Sequence, residues 1–150
     1  MTHTEYWDRI SDLAERATAA REAFVPPEEP PDEHRAMQLL REGVGPAIMI
    51  YVDARTGGDL TRFPDVEHSL LEQALNDFLE LYASCYGYEI ECRYSVREAA
   101  ETLVATHNVA DTAQLLTKVP PREEMPEGWK SGYDGLNGWG DGREAGPDEW

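Results

Sequence analysis

Apolar positions recur along the start of the chain at spacings of four and three: Tyr6, Ile10, Leu13, Ala17, Ala20 and Phe24. An α-helix turns once per 3.6 residues, so this spacing collects all of them on one stripe. It predicts a helix capped by Thr4 and running to about Phe24. The stripe is also a heptad-like seam, thin where its alanines fall. Such a seam serves either packing within its own domain or self-association through Tyr6, Ile10, Leu13, Ala17 and Phe24, which would make a homodimer. Val25-Pro-Pro-Glu-Glu-Pro-Pro31 then ends the helix, because proline lacks the amide donor and drives the preceding residue out of helical geometry. The segment 25–31 reads as a stiff acidic linker.

Asp32 is placed to cap a second helix through Glu42, with Gly43 ending it in the left-handed conformation and Gly45-Pro46 restarting the chain. The run Ala47 to Val52 is continuously apolar, and periodicity leaves it open between a buried helix and a buried strand. Pro46 at a first helical position and Gly57-Gly58 as a terminator tilt it towards helix. Asp65 is the expected cap of a helix over 66–86, with a stripe of Leu71, Leu75, Phe78, Tyr82 and Cys85 widened by Leu70, Ala74, Leu79 and Leu81. So broad an apolar face predicts the central helix of the domain. Beyond Gly87, Tyr88, Ile90, Cys92 and Tyr94 alternate with Glu89, Glu91 and Arg93, the period of an extended strand. A short β-pair of 88–94 with 47–52 is the expectation if the earlier run is a strand.

Ser95-Val-Arg-Glu98 has the form of a capping box, so a helix starts at Val96, with Val96, Ala99, Ala100, Leu103 and either His107 or Val104 on its apolar stripe. Asn108 caps the next, in which Val109, Thr112, Ala113, Leu116 and Val119 turn inward and Asp111 faces the amide-rich first turn. Two capped helices around Thr106-His107-Asn108 have the outline of a helix-turn-helix. The second leaves Ala110, Asp111, Gln114, Thr117 and Lys118 as its expected exposed positions, a poor set of donors for guanine and phosphate. A core hairpin is therefore the primary reading of 95–119. A DNA-binding protein contacting nucleic acid through Arg93, Arg97, Gln114 and Lys118 is the alternative.

Residues 120–150 change character. They hold seven of the twelve glycines and three of the four tryptophans, while aliphatic residues nearly vanish. Such composition predicts a flexible acidic tail, and its spaced aromatics Trp129, Tyr133, Trp139 and Trp150 are the candidate contacts to a protein partner. The organisation expected is thus a mainly all-α domain over 1–119, of about five helices, followed by the tail.

Charge sets the environment of this domain. Thirty acidic residues face thirteen basic ones, a net charge of −17, and only Lys118 and Lys130 are lysines. An acidic, lysine-poor chain of this kind resembles the cytosolic proteins of haloarchaea. In multimolar salt the Debye length shrinks to about 3 Å, so repulsion among the carboxylates is screened. No basic start followed by an apolar run appears at the N-terminus, and the longest apolar stretch, Pro46 to Val52, falls far below a membrane-spanning length. A soluble cytoplasmic protein is the expectation, with Cys85 and Cys92 reduced.

Candidate chemistry is sparse. His68 with Glu72, and His107 with Asp111, are pairs four residues apart of the sort that ligate metals, yet each residue has a simpler use in a helix turn. A small metal-dependent enzyme is accordingly a second alternative, and no metal ligand or cofactor is assigned. Neither cysteine, nor Ser69 or Ser84 beside those histidines, lies in a nucleophile elbow or a phosphate loop. The sequence points to a non-enzymatic interaction or regulatory protein acting through protein–protein contacts.

Overall fold

The computed structural model describes residues 4–56 and 62–121. These form an all-α domain: α1 (Trp7–Ala23), α2 (Glu33–Leu39), a π-helical turn (Leu40–Val44), α3 (Gly45–Thr56), α4 (Asp65–Cys85), α5 (Val96–Thr106) and α6 (Val109–Thr117). Because α2, the π turn and α3 run on without a break, the described chain folds as five helical rods. The central rod is α4, against which α1 and α2 pack; α3 bridges to α5, and α5 pairs with α6.

Leu71, Leu75, Leu79 and Tyr82 of α4 are fully buried, as its broad stripe requires. Tyr6, Ile10, Leu13 and Ala17 are buried in the same core, and Phe24 packs against it. The seam of α1 is therefore covered within its own chain. Thr4 lies two residues before Tyr6, the cap position of α1; its hydroxyl accepts the Tyr6 amide at 3.1 Å, while hydroxyl and amide both donate to the carboxylate of Glu67 across the domain. Asp65 is likewise the first residue of α4, with Pro64 in the cap position.

The continuous rod corrects the expected stop at Gly43. Pro46 has no amide to offer the carbonyl of Glu42, and the helix passes this gap by widening to a π turn in which the Gly45 amide reaches Leu40. Gly43 serves a different need. A Cβ there would lie 2.2 Å from Cγ of Phe78, so glycine is what lets α4 approach the rod so closely. Downstream, the run 47–52 is helical, with Ala47, Ile48 and Ile50 buried.

No β-pair exists among the described residues. The segment 88–95 carries no regular secondary structure, but from Cys92 to Val96 its alternate amides run along a helix, as an extended chain's do, and Ser95 is extended. Cys92 donates its amide to Glu80 (2.8 Å), Tyr94 exchanges two hydrogen bonds with the Asn76 side chain (2.8 and 2.9 Å), and Val96 donates to Glu72 (2.9 Å). Four extended residues span about 13 Å and eight helical residues about 12 Å, so alternate amides meet side chains one helical turn apart. The alternation does not produce a strand among the described residues. The segment's hydrogen-bonding partner is a row of α4 side chains that no periodicity announces.

A Schellman motif closes α4, with Gly87 bonded to Ser84 and Tyr88 to Ala83. Gly87 has φ +90°, a backbone that glycine adopts without strain. The Pro-rich linker returns to this corner, where the Asp32 amide donates to the Cys85 carbonyl at 2.8 Å. Asp32 then caps α2, as the sequence predicts.

Candidate functional site

The end of the helical domain is held by polar side chains aimed at its last backbone carbonyls. Lys118 ends α6 in the left-handed conformation, φ 63°, and turns the chain back across the core. Tyr82 of α4 donates its hydroxyl to the Val119 carbonyl at 2.8 Å, in a fully buried position. Tyr94 donates to the Leu116 carbonyl, and the Gln114 amide donates to the Pro120 carbonyl at 3.0 Å. Buried carbonyls need such partners, because an unmatched one costs roughly 1–3 kcal/mol. Three donors from α4, α6 and the extended segment thus fix residues 116–120, immediately before the aromatic C-terminal stretch.

This arrangement revises the surface expected of α6. Ala110, Gln114 and Thr117 are buried rather than exposed, leaving Leu115 and Lys118 as its exposed side chains. Gln114, one of the four DNA contacts of the alternative reading, is spent on the chain's own backbone. Arg93 and Arg97 are exposed, but each pairs with a carboxylate of its own segment, Glu91 at 3.5 Å and Glu101 at 3.1 Å. Gln114, being buried, does not share the exposed surface on which Arg93, Arg97 and Lys118 lie. The caps themselves follow the sequence, Ser95 accepting from the Glu98 amide and Asn108 from the Asp111 amide.

His68 and Glu72 do meet, Nε2 to Oε2 at 3.0 Å. The same Glu72 oxygen takes the Val96 amide, so the pair belongs to the row that holds the extended segment. His107 is the left-handed cap of α5, and Asp111 is bonded by Asn108. Among the described residues no group of three or more His, Cys, Asp or Glu side chains is placed to hold a metal ion. Ser84 donates to the carbonyl of Glu80 within its own helix. Both thiols are free and buried, and burial pushes Cys85 up to about 11 and Cys92 up to about 12, away from thiolate chemistry.

Sequence reasoning missed Glu67, a carboxylate with 1% of its surface exposed that ties Thr4 to the first turn of α4. It also missed the roles of Asn76 and Glu80. Asparagine inside a helix that otherwise favours strong helix formers is the signal that was available, since its side chain prefers to bond backbone. The aromatic residues Trp129, Tyr133, Trp139 and Trp150 lie outside the described residues.

The chain belongs to the family described as a domain of unknown function, DUF8055, whose model matches residues 4–121. Comparison with curated proteins and with solved structures gave no match. No described helix is long and apolar enough to cross a membrane.

Proposed function

We propose that the protein is a non-enzymatic cytoplasmic interaction module of a halophilic archaeon, regulatory in role, whose helical domain presents the C-terminal aromatic segment to a protein partner. The observation that carries this reading is the fixation of residues 116–120 by Tyr82, Tyr94 and Gln114. It fixes the backbone just before the stretch of sequence that carries Trp129, Tyr133, Trp139 and Trp150. Rigid aromatics give the largest contact energies at interfaces, and these four are the anchors. The family's model matches residues 4–121, so the four aromatic residues lie outside the matched part of the chain. The net charge of −17 supports a high-salt cytoplasm, where such a chain stays hydrated and soluble.

The test is co-purification from a haloarchaeal host in multimolar KCl, using tagged full-length chain and a 1–121 truncation whose folding is checked by circular dichroism. A defined protein recovered with the full chain and lost with the folded truncation is the expected result. Equal recovery with both forms would place the binding surface on the helical domain and overturn the reading, as would recovery of nucleic acid with no specific protein.

A further inference from the structure

The extended segment that lies along α4 has two backbone edges, and among the described residues only one is used. Successive residues of an extended chain direct their amide and carbonyl to opposite sides. Residues 92, 94 and 96 direct theirs at Glu80, Asn76 and Glu72. Glu91 and Arg93 therefore direct theirs away from the domain. Among the described residues, neither the amide nor the carbonyl of Glu91 or Arg93 makes a hydrogen bond, and both residues are exposed. Such an edge is a template for another extended chain.

We infer that this edge is where two copies of the chain pair, antiparallel about a two-fold axis, with Glu91 of each copy opposite Arg93 of the other. Charge complementarity selects a second copy as the occupant. In an antiparallel pair the residues that bond outward face one another, and the register centred on Cys92 sets 91 against 93 twice. Each hydrogen-bonded pair exchanges two backbone bonds, giving four across the axis. On the exposed face the same register creates two Glu91–Arg93 cross-strand ion pairs, the favourable combination at directly opposed positions. Within one chain these side chains sit 3.5 Å apart and about four-fifths exposed, so nothing holds them back from exchanging partners. So small an interface stays below the roughly 1,200 Å² of stable complexes, so the dimer is weak and concentration-dependent. High salt screens the repulsion between two chains of charge −17 and the exposed cross-strand pairs alike, so there the backbone bonds carry the pairing and the charges set its register at moderate salt. The inference is independent of the C-terminal segment and its partner.

Sedimentation equilibrium of the full chain in multimolar KCl, combined with amide hydrogen exchange by NMR, tests it. The expected result is a monomer–dimer equilibrium, with the Glu91 and Arg93 amides exchanging at least about tenfold more slowly in concentrated than in dilute protein. Arg93→Pro removes one outward amide at an edge position that tolerates proline, and should abolish the dimer with unchanged circular dichroism. Glu91→Arg and Arg93→Glu, each alone, oppose like charges and should weaken self-association about tenfold in moderate salt, while an equimolar mixture of the two restores it. A chain that stays monomeric at several hundred micromolar with both amides fast overturns the inference. So does a dimer that survives Arg93→Pro. Slow Glu91 and Arg93 amides in a monomer would mean that the chain's own remaining segment covers the edge, which also overturns it.

Discussion

The guanidinium of Arg16 donates to the main-chain carbonyl of Glu42 at 2.8 Å, the carbonyl for which Pro46 has no amide. A side chain from α1 thus completes the hydrogen bonding of a different rod at the place where proline interrupts it. Arg16→Met should lower stability by about 1 kcal/mol or less, since the site is exposed and water is a ready substitute. Pro46→Ala restores an amide, and in that background Arg16→Met should cost measurably less. Denaturant titration of the two single variants and the double variant gives the coupling, and equal costs in both backgrounds would separate Arg16 from the proline gap.

Gly43→Ala should be far more damaging. The added Cβ would fall 2.2 Å from Cγ of Phe78 and 2.3 Å from a second ring carbon, which the neighbouring helix accommodates only by moving. Overpacking of this kind costs typically 1–3 kcal/mol, and a helix propensity gain of about 1 kcal/mol from removing glycine does not offset it. The thermal midpoint should fall, and Phe78→Leu added to Gly43→Ala should recover part of the loss. A midpoint unchanged by Gly43→Ala alone would show that the contact is not needed.

Asn76→Ala removes both hydrogen bonds to Tyr94 and leaves a partly buried amide and carbonyl without protein partners. A loss of about 1–3 kcal/mol is expected. Hydrogen exchange should speed up at Tyr94 and its neighbours before it does in α4, because the extended segment depends on this row of side chains and the helix does not. Uniform acceleration across the domain would contradict that order.

The two thiols give a pH dependence. Burial raises both, Cys85 to about 11 and Cys92 to about 12, above the 9.0 of a free thiol. A group whose acid is weakened by folding stabilises the fold fully below its unfolded value and loses that contribution as pH rises through the folded one. Stability should therefore fall as pH climbs from about 9 towards 11 and 12. At pH 8 both cysteines should resist alkylation in the folded chain and react after denaturation, as mass spectrometry of the two states would record. Rapid labelling of native protein would contradict the burial.

Asp77 and Arg21 lie 3.3 Å apart, yet Asp77 is raised by desolvation, against which the pull of Arg21 is the smaller effect. Asp77→Asn should leave the denaturation midpoint unchanged or higher. Glu80→Gln, which weakens the bonds to both Arg21 and the Cys92 amide, should lower it.

The sequence by itself determined most of the helices, three of their caps and the buried faces of α1 and α4. Ser95, Asn108 and Asp32 cap where their local pattern says, and the stripes of α1 and α4 are the core, because helix periodicity and capping depend on residues within one or two turns. Tertiary structure decided everything that needs a distant partner. Gly43 and Gly45 carry the local signature of a helix end. They stand inside a rod because Phe78 presses on one side and Arg16 supplies the missing donor on the other. The alternation at 88–94 predicted a strand, but a strand pattern does not say whether its amides meet another strand or, as those of Cys92, Tyr94 and Val96 do, a row of side chains. Gln114 looks exposed by its neighbours' periodicity, and it is buried because α6 is covered on nearly every side and the chain after Lys118 folds back over it. Local pattern fixes conformation; which groups satisfy one another's hydrogen bonds is settled only when the rods pack.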